Sequence, residues 1–207
     1  MHFLITAGGT REYIDPVRFI SNASSGKMGY ALAGAALKAG HKVTLITTIA
    51  KQKVPVGLKV IKTETAGEMF KAVQKHLSRC DCLIMAAAVS DYTPQRPAKT
   101  KIKKTGQTLT IKLKPTRDIL KWAASHKKKN QRVVGFALED QALRTSAAGK
   151  LKEKNLDMII ANTPSAIGAE KSTVQIKTPD SSWLKIENVS KATIARRIIR
   201  MIEKFSF

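Results

Sequence analysis

The nine residues SNASSGKMG at positions 21–29 bring hydroxyl, amide and glycine groups together between a short apolar segment and an alanine-rich one. A phosphate-binding P-loop needs a glycine, four further residues and then Gly-Lys followed by Ser or Thr. Ser21 stands where the first glycine should be, and Met28 stands where the magnesium-binding hydroxyl should be. The loop is therefore not predicted to belong to a P-loop nucleoside triphosphatase.

This loop leads into the first turn of a predicted helix, where unpaired backbone N–H groups and the helix dipole favour an anion. Asn22 offers a hydrogen-bond donor and an acceptor without a charge, which suits a carboxylate or an acyl phosphate. Alternatively, Ser24 or Ser25 simply caps the helix. The spacing alone favours neither alternative.

Three successive alanines at residues 86–88 end a predicted buried strand. Their small side chains let a flat group approach the backbone at the edge where parallel sheets bind ligands. Asp91 follows this edge and either orients a metal-bound phosphate or a base, or caps a loop. Gly8 and Gly9 end the first predicted strand, but no third glycine completes a dinucleotide fingerprint, which disfavours an NAD-linked reductase.

The other polar candidates are lysines, cysteines and histidines. The segment KIKK at residues 101–104 follows a flexible PQRPAKT segment, and lysine ammonium groups suit phosphates, although lysines are frequent throughout this chain. Cys80 and Cys82 are predicted to be buried thiols, because no second cysteine pair or histidine cluster accompanies them. No metal site made by protein side chains is predicted.

The elements that must position these residues alternate between strand and helix along most of the chain. Strands are predicted at residues 2–7, 41–47, 59–62, 82–88, 108–113, 132–137 and 157–161, with a late hairpin at 174–177 and 183–186. Helices are predicted at residues 25–39, 66–78, 117–125, 146–155 and 191–205. This order predicts one α/β domain over residues 1–207, a three-layer Rossmann-like fold with a mostly parallel sheet and late β-hairpin insertions.

The charge is strongly unbalanced, with 37 basic and 15 acidic residues and a formal net charge of +22. Such a surface attracts polyanions, so a nucleic-acid-binding module is one hypothesis. The lysines are spread along the chain and aromatic residues make up only 5% of it, which disfavours that hypothesis. No apolar run approaches the roughly 20 residues of a membrane span, and no signal-peptide layout is visible. We therefore expect a cytoplasmic protein that does not contact a membrane.

Five longer blocks give a specific resemblance to a known family. They are ITAGGTREYIDPVRFISNASSGKMGYALA at residues 5–33, AAAVSDY at 86–92, KIKK at 101–104, VVGFALE at 133–139 and KLKEKNLDMIIAN at 150–162. Together the blocks span nearly the whole chain, and the first is long enough to be highly specific. The sequence resembles the phosphopantothenoylcysteine synthetase family, also described as the DNA/pantothenate metabolism flavoprotein C-terminal domain family, which acts in coenzyme A biosynthesis.

The resemblance implies a ligase that works in two steps. The carboxylate of 4'-phosphopantothenate attacks the α-phosphate of a nucleoside triphosphate and pyrophosphate leaves. The amine of cysteine then takes the acyl group from the acyl-nucleotide intermediate. CTP is the expected nucleotide and ATP is the alternative. The resemblance also implies Mg²⁺ held mainly by the triphosphate, no flavin, a homodimer, and a separate phosphopantothenoylcysteine decarboxylase as the pathway partner of a free-standing enzyme.

Individual roles follow from the resemblance at the matching positions. It implies that Asn22 holds the acyl-phosphate intermediate, that Arg18 assists the cysteine step and that Lys101 neutralises phosphates. The residues that it implies for nucleotide binding are Gly8, Gly9, Ser24, Ser25, Gly26, Ala87, Ala88, Asp91, Lys101, Gly135 and Phe136.

The chain also departs from the family pattern. Leu138 stands where the family commonly has alanine, and Asp140 stands where it has threonine. GAEKSTV at residues 168–174 replaces SDENEV, and TRDI at residues 116–119 replaces NPDI. These departures leave the motifs above intact and bear on the base preference and on the dimer contacts that the family makes through its hairpins.

Overall fold

The computed structural model describes residues 1–48 and 55–205. Its strands are β1 (His2–Ala7), β2 (Arg11–Tyr13), β3 (Phe19–Ser21), β4 (Lys42–Thr47), β5 (Lys59–Lys62), β6 (Cys82–Met85), β7 (Tyr92–Pro94), β8 (Leu113–Pro115), β9 (Arg132–Leu138), β10 (Met158–Asn162), β11 (Lys171–Lys177) and β12 (Leu184–Ser190). Its α-helices are α1 (Lys27–Lys38), α2 (Ala66–Leu77), α3 (Ile119–Ser125), α4 (Leu143–Glu153) and α5 (Lys191–Glu203). A 3₁₀ turn spans Pro164–Ala166.

The central sheet has eight strands in the order β12-β11-β10-β9-β6-β1-β4-β5. The six strands from β10 to β5 pair in parallel, whereas β11 and β12 form an antiparallel hairpin beside β10. Counted along the chain, the parallel strands lie in the order third, second, first, fourth, fifth, sixth, which is the Rossmann order. The predicted fold class is confirmed, including the late hairpin.

Helices cover both faces of this sheet. Along β1, Phe3 and Ile5 face the layer of α1 and α5, and Leu4 faces the layer of α2, α3 and α4, because side chains alternate along a strand. Strands that are buried on both faces lose the alternation of polar and apolar residues, which explains the continuous apolar run of β6. Within the described residues, no helix is both long and apolar enough to cross a membrane.

Several predicted strands differ from the observed ones at their ends, and two of the differences have a clear structural reason. β6 ends at Met85, because the backbone N–H groups of Ala87 and Ala88 turn to the end of β1, bonding to Thr6 Oγ1 at 3.1 Å and to the Gly8 carbonyl at 2.8 Å. The strand predicted at residues 108–113 is wrong. Residues 108–110 are exposed, and pairing begins only at Leu113, opposite β7. An alternating pattern is therefore insufficient where no neighbouring strand lies alongside.

Two small antiparallel sheets, β2–β3 and β7–β8, lie beyond the carboxyl ends of β1 and β6. Each of their strands has only three residues, too few for a period of two to be recognised in the sequence. β2 lies against β7, so the two sheets are neighbours.

Helix α1 lies unusually close to β1 at Gly29. A Cβ atom added at Gly29 would lie 2.5 Å from Ala7 Cβ and 2.8 Å from the Thr6 carbonyl oxygen. Relief would require the strand backbone to shift, since these atoms belong to β1 itself. The missing side chain of Gly29 thus lets the N-terminus of α1 lie next to the end of β1.

We expect Gly29→Ala to lower the free energy of unfolding by about 1–3 kcal/mol, because the added methyl group overpacks the contact with β1. Gly34→Ala, on the same helix, is the matched control, since nothing lies within 4 Å of its added Cβ. Replacing that glycine should raise the free energy of unfolding by about 0.5–1 kcal/mol. Urea titrations of both variants test the expectation, and equal effects would contradict it.

Candidate active site

A cleft of about 520 Å³ opens at the carboxyl ends of the parallel strands. It lies where the chain order reverses between β1 and β6, the position at which open α/β sheets bind ligands. Its volume falls within the usual range for small-molecule sites. Eight of the residues predicted from the sequence line it: Asn22, Ser24, Ser25, Gly26, Ala87, Ala88, Asp91 and Phe136.

The loop before α1 closes on itself. The Ser24 N–H donates to the Asn22 carbonyl at 2.8 Å, and the Gly26 N–H donates to Ser24 Oγ at 3.3 Å. Gly26 is the N-cap, with φ of 70°, and α1 has no side-chain cap hydrogen bond. The alternative in which a serine caps the helix is therefore wrong. The first N–H groups of α1 remain available to an anion in the cleft.

Asn22 is held by the chain that follows β6, at the end of the three alanines of residues 86–88, which we name the alanine segment. Its Nδ2 donates to the carbonyls of Ala88 and Val89 at 3.3 and 3.2 Å. The opposite side of this contact is Gly9, where an added Cβ would lie 2.6 Å from the Asn22 carbonyl oxygen. Gly8, with φ of 93°, accepts the Ala88 N–H. Gly8 and Gly9 thus allow the turn after β1 to pack closely against the Asn22 loop and Ala88.

Gly135 serves packing in this structure. A Cβ there would lie 2.9 Å from methyl carbons of both Leu120 and Leu156. The absent side chain makes room for these leucines, while the next residue, Phe136, lines the cleft. The nucleotide-binding role of Gly135 stays a prediction.

Arg18 and the segment of Lys101 meet outside the cleft lining, at the turn between β2 and β3. The Asp15 carboxylate is 1% exposed, and its Oδ2 accepts Arg18 Nε at 2.9 Å, Arg18 Nη2 and the Ile102 N–H at 3.1 Å. Arg18 Nη2 also donates to the Ile102 carbonyl at 2.8 Å. We name Asp15, Arg18 and Ile102 the Asp15 clamp, and residues 101–104 the lysine loop. The clamp fixes the peptide next to Lys101.

The hydrogen bonds from Arg18 hold the pKa of Asp15 well below its usual range, although burial alone would raise it. Asp15 Oδ1 contributes by accepting the N–H groups of Val17 and Arg18, each at 2.8 Å. The carboxylate therefore stays ionised at neutral pH, and the clamp is charged on both sides.

The cleft also contains cations that the sequence analysis did not single out. These are Lys27, Arg117, Lys150, Lys154 and Lys191. Lys150 lies in the last turn of α4 and Lys154 directly follows the helix, and their four-residue spacing was the available signal. Lys150 pairs with Glu139 at 2.6 Å, Lys154 with Asp118 at 2.8 Å and Lys27 with Glu170 at 3.4 Å.

Two ionisable groups of the cleft have shifted pKa values. Burial and the nearby charge of Lys27 lower the pKa of Lys191, whose Nζ donates to the Ala166 carbonyl and to Ser172 Oγ, each at 3.0 Å. Burial would raise the pKa of Asp118, but hydrogen bonds from the Lys121 N–H and from Lys154 outweigh it and lower the pKa. Asp118 is therefore a carboxylate at neutral pH.

Metal ligands are sparse. In residues 1–48 and 55–205, no group of three or more His, Cys, Asp or Glu residues is placed to hold a metal ion. The carboxylates lining the cleft are Asp91 and Asp118. Cys80 and Cys82 are buried and unpaired with each other, as predicted. Burial raises the pKa of Cys80 to about 12 and also raises the pKa of Cys82.

The model of the DNA/pantothenate metabolism flavoprotein C-terminal domain family matches residues 1–205. The chain belongs to this family. The resemblance inferred from the sequence blocks is confirmed.

Relatives and solved structures agree with this membership. A coenzyme A biosynthesis bifunctional protein CoaBC from Bacillus subtilis is 42% identical over 99% of this chain and 52% of its own length. A cysteine/cysteine sulfinic acid decarboxylase from an unknown prokaryotic organism is 44% identical over 96% of this chain and 56% of its own length. The chain thus spans about half the length of these relatives.

Among solved structures, the C-terminal domain of a CoaBC protein has a TM-score of 0.84 at 36% identity, covering 98% of this chain and 93% of that domain. A Cab2 mutant in complex with phosphopantothenate-cysteine has a TM-score of 0.81 at 19% identity, covering 98% of this chain and 86% of that one. At that identity the second structure shows the shared fold alone.

Proposed function

We propose that this chain is a phosphopantothenate–cysteine ligase that acts in coenzyme A biosynthesis. The observation that carries the proposal is the cleft at the strand crossover, where the Asn22 loop, the uncapped N-terminus of α1 and the alanine segment meet. Family membership and the names of the CoaBC relatives support the same activity.

The reaction balances in two steps. In the first, a carboxylate oxygen of 4'-phosphopantothenate bonds to the α-phosphorus of the nucleotide, and the bond to the pyrophosphate oxygen breaks. In the second, the cysteine nitrogen bonds to the acyl carbon, the nucleoside monophosphate leaves and the amine loses a proton. Both steps join anions to anions, so a site that performs them must stabilise negative charge and hold the reactants in place.

The residues of the cleft suit these demands. The N–H groups at the start of α1 and the ammonium group of Lys27 would attract the phosphoryl oxygens of a bound nucleotide. The amide of Asn22 contributes no charge of its own, so it can hold the acyl phosphate without repelling it. Outside the cleft lining, Lys101 of the lysine loop neutralises the triphosphate, and Arg18, which the Asp15 clamp holds beside that loop, assists the cysteine step.

Mg²⁺ and the nucleotide complete the proposal. Among the described residues, two carboxylates line the cleft, those of Asp91 and Asp118, and Asp118 already bonds Lys154. A magnesium ion is therefore best held by phosphate oxygens and water. Such an ion neutralises the triphosphate when it is bound. CTP is proposed as the nucleotide. The product passes to a decarboxylase, in keeping with the bifunctional name of the CoaBC relatives and the decarboxylase name of another.

The first experiment measures pyrophosphate release by the purified protein with 4'-phosphopantothenate and Mg²⁺, comparing CTP with ATP, with and without cysteine. We expect release that requires phosphopantothenate, runs faster with CTP, and gives a product whose mass equals the cysteine adduct. Absence of release with either nucleotide would reject the ligase. The nucleic-acid hypothesis raised by the +22 charge would then be the better one.

Lys101→Gln and Asn22→Asp should each lower the rate of pyrophosphate release roughly 100-fold or more, the usual cost of removing a group that stabilises developing charge. Aspartate at position 22 would also oppose its carboxylate to the carbonyls of Ala88 and Val89. Lys71→Gln and Asn130→Asp, at exposed positions, make the same changes of charge and serve as controls. Wild-type rates in the two site variants would remove their assigned roles.

We also propose that the chain is a homodimer that joins through its small sheets. Ten large apolar side chains of the described residues are exposed, and six of them lie on the turn and strand of residues 17–20 or on the arm of residues 92–113. These are Val17, Phe19, Ile20, Tyr92, Leu109 and Leu113. None of the six lines the cleft, and exposed apolar residues on neighbouring elements are typical of an interface.

Leu113→Asp tests the interface, because a carboxylate there would be buried against the second copy. Leu184→Asp is the matched control, since the two leucines are 44% and 46% exposed and Leu184 lies on the late hairpin, which this proposal, unlike the expectation from the family pattern, leaves outside the interface. We expect sedimentation to give twice the chain mass of 22.7 kDa for wild type and control, and the single mass for Leu113→Asp. A wild-type monomer would contradict the proposal.

A further inference from the structure

The lysine loop has little regular structure to fix it. Residues 103–110 are exposed, and no strand or helix is assigned between β7 and β8. The described hydrogen bonds that attach residues 98–104 to the body of the protein are that of the Ala98 N–H, which donates to the Ile14 carbonyl at 2.8 Å, and those of the Asp15 clamp at Ile102. Both attachments reach the turn between β2 and β3.

We infer that Asp15 is a positioning residue that holds Arg18 and the lysine loop in one fixed arrangement for both steps of the ligation. This inference rests on the proposed function. Asp15 contacts neither the cleft lining nor a reacting group, and it acts through the residues that it bonds.

The geometry of the clamp supports a positional role. Ile102 is held through both of its backbone groups, since its N–H donates to Asp15 Oδ2 at 3.1 Å and its carbonyl accepts Arg18 Nη2 at 2.8 Å. These groups belong to the two peptide bonds that join Ile102 to Lys101 and to Lys103, so the direction of the chain toward both lysines is restrained. The turn that carries the clamp continues through β3 directly into Asn22.

The carboxylate also restrains Arg18. Arg18 Nε and Nη2 both donate to Asp15 Oδ2, while the guanidinium side chain stays 45% exposed. The hydrogen bonds of Nε and Nη2 thus fix the orientation of the guanidinium group, while part of the side chain remains accessible to solvent. One buried carboxylate thereby sets the position of the group proposed for the cysteine step and of the group proposed for the nucleotide step.

Asp15→Asn and Ile102→Pro test the inference from the two sides of the clamp. Asparagine keeps the shape of Asp15 but removes its charge, and proline removes the N–H donor of Ile102 from a segment outside the core. Asp180→Asn and Thr105→Pro, at exposed positions, are the matched controls. Thermal unfolding, pyrophosphate release and cysteine transfer are measured for each, and hydrogen exchange at the Ile102 amide is measured for wild type and for the variants that keep Ile102.

We expect both clamp variants to lower both half-reactions roughly 100-fold, since a displacement of about 1 Å has that cost. In the Asp15→Asn background, adding Lys101→Gln should cost less than about 3-fold, because residues that act through one another are not additive. Amide exchange at Ile102 should quicken at least tenfold in Asp15→Asn. The controls should match wild type.

A full 100-fold effect of Lys101→Gln in the Asp15→Asn background would overturn the inference, because a general loss of folded protein leaves that factor unchanged. So would unaltered exchange at the Ile102 amide. These results differ from failure of the proposed function, in which the wild-type protein itself releases no pyrophosphate.

Discussion

The cleft depends on a close contact between three backbone turns where the chain order of the sheet reverses. Gly9 can lie against the Asn22 loop only because it has no side chain, since a Cβ there would be 2.6 Å from the Asn22 carbonyl oxygen. The Ala88 carbonyl accepts hydrogen bonds from the Thr10 N–H and from Asn22 Nδ2, which ties the turn after β6 to the other two. Backbone groups that would otherwise be unpaired near the cleft floor are satisfied in this way.

The placement of the other site residues follows from that contact. Gly26 adopts a left-handed conformation that turns the chain from the Asn22 loop into α1, and Gly29 lets the helix settle on β1. The N-terminus of α1 therefore meets the cleft at a fixed distance from the alanine segment. On the opposite side, the turn of Asp15 and Arg18 leads through β3 into the Asn22 loop. Because Arg18 bonds Ile102, the position of the lysine loop is also fixed relative to Asn22.

The sequence was sufficient to predict the fold and one wall of the cleft. It was less informative about contacts between residues that are far apart along the chain. The parallel strands and their helices carry strong apolar patterns, and the loop of Asn22 with the alanine segment is recognisable from residue types alone. The three-residue strands β2, β3, β7 and β8 are too short to show a period. The Asp15 clamp joins residues 87 apart in sequence, and only the folded chain brings them together.

The ion pairs in the cleft indicate where a bound anion can replace the carboxylate partner of a lysine. Lys150 and Lys154 have close carboxylate partners, and Glu139 is largely enclosed, so these lysines shape the wall as ion pairs. Lys27 pairs at 3.4 Å with Glu170, whose side chain is 94% exposed, and such pairs contribute little. Of the three ion-paired lysines, Lys27 is therefore the one most readily released to a phosphate, and it stands at the uncapped start of α1. Because Lys191 is partly buried near Lys27 and has a lowered pKa, an anion between the two would favour its charged form. This end of the cleft is electrostatically incomplete until an anion is bound.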